Sequence, residues 1–234
     1  MSGVCYFVAG TDTGVGKTRV TCALLAAARA QGLAVAGMKP IAAGGEWHDG
    51  HFISEDARLI AENSGQSSPY SEINPYCLLE PISPHIAANR ARITVDIDLI
   101  ATIGTRLRAK HDFVLVEGAG GWYTPIDDRR SMAEVAKALH CPIILVVGLR
   151  LGCLNHARLS LEAMRGSGCD FAGWIGSQID ANFAALPENL ATLEMILGGP
   201  PLALLPFADA TTDDAQRARA ALPRLLASRG AYDT

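Results

Sequence analysis

Six short apolar runs punctuate the chain at 5–9, 34–38, 113–116, 143–147, 172–176 and 202–205. Between them lie longer stretches in which apolar residues return every three or four positions. The runs are too short for helices and read as strands buried on both faces, which show no polar alternation. The longer stretches read as helices over 17–31, 54–63, 95–110, 131–139, 153–166, 187–197 and 213–228. In the first of these, Val20, Ala23, Leu24 and Ala27 share a face and Gly32 supplies a C-terminal stop. Strand alternating with helix predicts an α/β fold, a mostly parallel central sheet with helices on both faces.

The stretch 64–93, rich in Ser, Pro and Asn, has no clear period and is expected to form loops and short helical turns over one side of the sheet. The last helical stretch begins with acids and is interrupted by Pro223, which favours a helix covering the sheet over a membrane-surface helix. There is no internal repeat, low-complexity linker or compositional break, so residues 1–234 are expected to form one domain.

Composition narrows the partners. The chain is 49% hydrophobic, enough for a full core, and carries a net charge of -4, with no basic footprint for nucleic acid. No apolar run is long enough to span a bilayer, and no basic segment followed by an apolar core opens the chain, so a cytoplasmic location is expected. Cysteines 5, 22, 77, 141, 153 and 169 show no paired spacing and read as reduced thiols.

Ligands of parallel sheets bind outside the carboxyl ends of the strands, which directs attention to four loops. After the first run comes Gly10-Thr11-Asp12-Thr13-Gly14-Val15-Gly16-Lys17-Thr18. Its glycines let backbone N–H groups converge, and the helix starting near Lys17 adds the positive end of its dipole. A triphosphate fits there, with Lys17 on the β/γ-phosphates and Thr18 on the accompanying Mg²⁺. Five residues separate Gly10 from Gly16 where four are usual, so the signal is Gly-Lys-Thr in a strand–loop–helix context.

The second loop offers Lys39, held extended by Pro40. Its position alone leaves open a crevice cation or a solvated side chain. The third is Glu117-Gly118-Ala119-Gly120-Gly121, where an acid directly after a buried strand needs a partner or a metal. The fourth runs from Gly148 through Arg150 to His156. Asp56, taken locally, is an acid in the first turn of a helix, stabilised by the dipole. His48 and His51 have no neighbouring Cys or third His and read as a flexible polar loop, while His85 and His156 read as structural.

Taken together, Gly10 through Thr18, Gly37-Met38-Lys39-Pro40, Asn74-Pro75-Tyr76, Glu80-Pro81-x-Ser83-Pro84-His85, Glu117 through Trp122, Leu151 through His156 and Ala172-Gly173-Trp174 resemble the dethiobiotin synthetase family. The match keeps its order from about residue 5 to residue 208. The resemblance implies a single-domain P-loop NTPase-like fold and an ATP- and Mg²⁺-dependent cyclo-ligase of biotin synthesis. Such an enzyme forms the ureido ring of dethiobiotin from 7,8-diaminopelargonate and CO₂, through a carbamate and a carbamic-phosphoric anhydride.

Carried over position by position, the resemblance makes Thr18, Asp56 and Glu117 metal ligands, Lys39 and Lys17 catalytic cations, and sets Thr13 beside the transferring phosphate. It lays the nucleotide along Gly14, Val15, Gly16, Lys17, Thr18 and Arg19, with Glu117, Gly118, Ala119 and Gly120 near it and Pro206, Phe207 and Ala208 flanking the base. It also implies a homodimer in which Leu151, Gly152, Cys153 and Asn155 offer backbone N–H groups to the substrate carboxylate of the neighbouring subunit.

Several positions depart from the family pattern. Ala43 replaces a hydroxyl residue that touches substrate, Ser177 and Gln178 stand where an Asn reads the purine edge, one or the other expected to substitute for it with different geometry, and Asn189 replaces an aromatic hydroxyl near the substrate carboxylate. Dimeric switch ATPases of the partitioning and division-site type share the fold and form the alternative. Their signature lysine early in the phosphate loop is absent, since Asp12 stands in its place. Amidotransferase-type synthases would need a glutaminase domain for which the chain is too short.

Overall fold

The computed structural model describes residues 3–48, 50–207 and 213–227. In chain order the first elements are β1 (Val4–Gly10), α1 (Lys17–Ala30), β2 (Val35–Met38), β3 (Ile41–Ala43), β4 (Glu46–His48), β5 (His51–Ile53), α2 (Glu55–Asn63), α3 (Tyr70–Ile73), β6 (Tyr76–Leu78), α4 (Pro84–Arg90) and α5 (Ile97–Lys110). They continue as β7 (Phe113–Gly121), α6 (Met132–Leu139), β8 (Ile143–Leu149), α7 (Cys153–Gly166), β9 (Phe171–Gln178), α8 (Leu186–Leu197), β10 (Ala203–Leu205), α9 (Asp214–Ala218) and α10 (Leu222–Ala227).

Each apolar run became a strand of one six-stranded sheet in the order β10-β9-β8-β1-β7-β2, and every pairing in it is parallel. Burial on both faces explains the lack of polar alternation: β1 and β8 are buried at every position. Successive strand residues feed opposite cores. Phe7, Val114, Val116 and Leu145 pack with α5, α6 and α7 on one face, while Tyr6, Val8, Leu115 and Val146 pack with α1 on the other.

Four local outcomes refine the sequence reading. β7 extends past 116 to Gly121, so Glu117 lies within the strand opposite Val8, and the register slips between Val8 and Gly10 as the glycines bulge. The segment 213–228 is not one helix: among its described residues, α9 gives way to a 3₁₀ turn over Arg219–Ala221 before α10. Pro223, which lacks an N–H, sits at the start of α10, where that loss is tolerated. Within 64–93 the expected short turns are present, with β6 added as a parallel partner of β3. The His48 and His51 segment is the β4–β5 hairpin rather than an irregular loop, the two residues facing across an antiparallel pair.

All six cysteines are free thiols. Cys5 and Cys141 are nonetheless close, their Sγ atoms 2.7 Å apart. The sequence spacing gave no sign of this, because 136 residues and a sheet register separate the two.

Candidate active site

The phosphate loop is shaped by its glycines. Gly14 and Gly16 have φ of +72° and +89°, in the left-handed region. At Gly16 a Cβ would also lie 2.5 Å from the Ser177 Oγ, so backbone conformation and space both exclude a side chain there. Val15 turns inward and is buried, while Thr13 and Gly14 face solvent. Lys17 opens α1 and is itself buried, its Nζ donating to the Asp12 carbonyl at 2.9 Å. Burial and the neighbouring Lys39 ammonium lower its pKa from 10.5 to about 8.

Opposite the loop stands Lys39, at the end of β2 and nearly fully buried. Its Nζ lies 2.6 Å from Glu117 Oε1 and 2.7 Å from Asp56 Oδ2, and donates more weakly to the Gly118 carbonyl at 3.4 Å. Burial alone would pull the Lys39 ammonium down, but the Glu117 and Asp56 carboxylates outweigh it and hold its pKa above the ordinary value. Burial likewise pushes Asp56 up, and Lys39, with Thr18 and Lys17 behind it, reverses the sign so that Asp56 sits below the usual range. Asp56 lies in the first turn of α2, capped by Ser54, as its local sequence suggests, and it also pairs across the site with Lys39, which its local sequence did not show.

The backbone around Lys39 is braced. Its N–H donates to the Ile73 carbonyl at 2.7 Å, and its carbonyl accepts from Asn74 Nδ2 at 2.7 Å. The bracing role of Asn74 was missed in the sequence, where Asn74-Pro75-Tyr76 carried the family resemblance but no contact to Lys39. The contact to Lys39 depends on α3 returning the chain to β2.

Thr18 donates from its hydroxyl to Glu117 Oε1 at 2.7 Å, and the other carboxylate oxygen, Oε2, is buried without a hydrogen-bond partner. No cluster of three or more His, Cys, Asp or Glu suited to a metal occurs among the described residues. The hydroxyl of Thr18 with the carboxylates of Glu117 and Asp56 is, however, a set of hard oxygen donors. Mg²⁺ is commonly held by one or two carboxylates plus phosphate oxygens and water, and an unpartnered buried carboxylate oxygen suits such a cation.

These groups border a cleft of about 750 Å³. Thr13, Gly14, Gly16, Lys17, Thr18, Lys39, Ala43, Asp56, Glu117, Ala119 and Gly120 line it, so most of the predicted catalytic and phosphate-side residues converge. An apolar wall of Ile41, Pro81, Ile82 and Pro84 continues past Ala43. Gly118 lies one residue behind, its carbonyl turned to Lys39.

The predicted base-side residues are arranged differently. Ser177 is fully buried against Gly16, its Oγ unpartnered. Gln178 spends its amide on the chain, donating to the Asp180 carbonyl at 3.1 Å and accepting from the Phe207 N–H at 3.3 Å. Arg19 forms a bidentate pair with Asp214 at 2.6 and 2.7 Å. Pro206 is partly buried and Phe207 exposed beside Gln178, while Ala208 lies outside the described residues. Leu151 is 89% exposed, Gly152 turns at φ +95° as the N-cap of α7, Cys153 is buried, and Asn155 is exposed on the first turn. Asn189 bonds back to the Ala185 carbonyl.

A parallel α/β sheet whose first strand runs through a glycine loop into a Lys-Thr helix, facing a buried lysine and two carboxylates, defines a P-loop nucleotide-binding protein. Residues 5–215 match the family described as "AAA domain". Solved structures agree on the fold. The septum site-determining protein MinD of Pyrococcus horikoshii superposes with a TM-score of 0.58 at 16% identity, covering 98% of this chain and 96% of that one. A ParA family ATPase of Chlorobium tepidum gives 0.54 at 14% identity, with 97% of both chains covered.

At the sequence level the relatives are more specific. A protein of Nitrosospira multiformis is 48% identical over 202 residues, 86% of this chain and 88% of that one; one of Aromatoleum aromaticum is 45% identical over 211 residues, 90% and 93%. A protein of Cellvibrio japonicus is 39% identical over 226 residues, covering 97% of this chain and 99% of its own. All three are named ATP-dependent dethiobiotin synthetase, and this chain belongs to the dethiobiotin synthetase family.

Proposed function

We propose that this protein is a cytoplasmic homodimer of one-domain subunits that closes the ureido ring of dethiobiotin from 7,8-diaminopelargonate and CO₂ at the expense of ATP. The observation that carries the reading is Lys39, buried between Glu117 and Asp56 and facing the phosphate loop across one cleft. Family membership supports the substrate pair. Among the described residues no helix is long and apolar enough to cross a membrane.

The chemical difficulty is charge. One substrate amine takes up CO₂ to give a carbamate anion, whose oxygen must then attack the γ-phosphorus of a polyanionic triphosphate as ADP leaves. The second amine attacks the carbonyl carbon of the resulting mixed anhydride, closing the ring and expelling phosphate. Lys39 contributes positive charge where the carbamate and γ-phosphate meet, and it is already oriented by two carboxylates, so little reorganisation remains for the reaction. Lys17 exchanges the Asp12 carbonyl for phosphate oxygens, and Thr13 lies beside the group transferred. Thr18, Asp56 and Glu117 would hold Mg²⁺, which supplies further neutralising charge to the phosphates when bound.

The apolar wall from Ile41 to Pro84, with Ala43, accommodates the alkyl chain of the diamine. The Leu151 to Asn155 turn of a neighbouring subunit supplies N–H groups at the start of α7 for the carboxylate, apart from that of Cys153, which is bonded to the Arg150 carbonyl at 3.1 Å. Base contact falls to Pro206 and Phe207. The test is incubation with ¹³C-bicarbonate, ATP, Mg²⁺ and 7,8-diaminopelargonate, followed by mass spectrometry. One labelled carbon in a cyclic urea product is expected, and an unlabelled or unaltered diamine refutes the assignment.

A further inference from the structure

The phosphate loop does not only face the cleft; it rests on the carboxyl end of β8. Three alternate residues of that strand and its extension touch it. Val146 accepts the Thr11 N–H at 3.0 Å, Gly148 leaves room for Val15, where a Cβ would come within 2.9 Å of the Val15 side chain, and Arg150 reaches Asp12 at 2.9 Å.

Arg150 joins two loops. Its guanidinium holds Asp12 Oδ2, while its own carbonyl accepts the Cys153 N–H at 3.1 Å and so fixes the turn that opens α7. Asp12 is equally committed: Oδ1 accepts the Thr13 N–H at 2.7 Å, and its carbonyl accepts the Lys17 ammonium. Movement of Lys17 onto a phosphate releases one of the contacts that hold Asp12, and the ion pair carries that change to the turn at 151–155. Both side chains of the pair are almost half exposed, at 43% and 47%, so its contribution to folding is small and its consequence is positional.

We propose that Arg150 is a positioning residue that ties the phosphate loop to the α7 turn, so that nucleotide and diamine bind with mutual coupling. This rests on the functional reading above, in which the α7 turn receives the substrate carboxylate of the neighbouring subunit. Nucleotide in one site then prepares the carboxylate seat of the other. Coupling between two ligands is reciprocal, so either can be titrated.

Calorimetric titration of a non-hydrolysable ATP analogue with Mg²⁺, with and without 7,8-diaminopelargonate, measures it. In the wild type the diamine tightens nucleotide binding on the order of fivefold or more. In Arg150→Ala and in Asp12→Asn, which keeps the oxygen that Thr13 uses, the factor falls below about twofold while the melting temperature stays within a few degrees. Arg150→Lys retains part of the coupling. A wild-type factor of one, or full coupling retained in Arg150→Ala, overturns the inference alone when the wild type shows diamine-dependent phosphate release. Absence of that release overturns the functional reading and this inference with it.

Discussion

Lys39 and Glu117 form an ion pair 2.6 Å long in which the lysine side chain is 5% exposed and the carboxylate 0%. Lys39 directly follows β2 and Glu117 lies within β7, adjacent strands whose parallel register ends with Met38 opposite Val116, so each comes directly after the last residue its own strand pairs with the other. Two adjacent strands of the sheet therefore bring opposite charges together at the floor of the cleft, and Asp56 completes the set from the first turn of α2.

Removal of one partner from such a pair leaves a buried charge uncompensated. Lys39→Ala is expected to lose about 3–5 kcal/mol of stability by chemical denaturation. Turnover should drop by a factor on the order of 10² or more. The double variant Lys39→Met/Glu117→Gln should recover much of the stability and none of the activity. Activity that returned with stability would reduce Lys39 to a structural role. Linkage follows the sign of the shift: Lys39 is held above its ordinary 10.5, so its stabilisation is complete below that pH and is lost as pH rises through the raised value.

Lys17 behaves in the opposite sense. With its pKa lowered from 10.5 to about 8, the folded protein holds fewer protons than the unfolded chain between those values, and stability from this group rises with pH across the window. A phosphate bound at Lys17 restores the proton. Nucleotide binding in the range between the lowered and the ordinary pKa should take up a fraction of a proton that grows with pH, read from titrations in buffers of different ionisation enthalpy, and affinity should weaken as pH rises through that range. Lys17→Arg, charged throughout, should abolish the uptake. Uptake that survives in that variant assigns the proton to another group.

Glu117→Gln bears on the cation site. The amide retains an oxygen for Thr18 and Lys39 but loses the carboxylate charge behind the unpartnered Oε2. The Mg²⁺ concentration for half-maximal activity should rise by about tenfold or more. An unchanged Mg²⁺ titration with native stability would exclude Glu117 as a ligand.

Gln178 is, with Ser177, one of two candidates for reading the base, and its amide is committed to the Asp180 carbonyl and the Phe207 N–H. Gln178→Ala should therefore loosen the Phe207 segment and raise KM for ATP, CTP and GTP by a common factor of about three- to tenfold, the worth of one or two hydrogen bonds. A change confined to one nucleotide would restore Gln178 as a base reader.

The strands and the phosphate loop were legible because both depend on local physics: continuous apolar runs declare burial on two faces, and Gly16 is demanded by a left-handed turn. Lys39 and Asp56 were ambiguous for the converse reason. Nothing within a few residues of either shows that they meet, since 2.7 Å between them is set by β2, α2 and the return of α3. The Arg150 to Asp12 and Asn74 to Lys39 contacts were missed on the same ground, spanning 138 and 35 residues. Ser177 stands with Gln178 at the family's base-reading position, but Gly16 closes over it, a packing detail that no spacing encodes.

Cations gathered at one cleft let a carbamate meet a triphosphate, so phosphate should leave ATP only when that carbamate can form. Steady-state phosphate release should require 7,8-diaminopelargonate, bicarbonate, Mg²⁺ and ATP together, and omission of the diamine should reduce it to background. Equal release with and without the diamine would contradict the account.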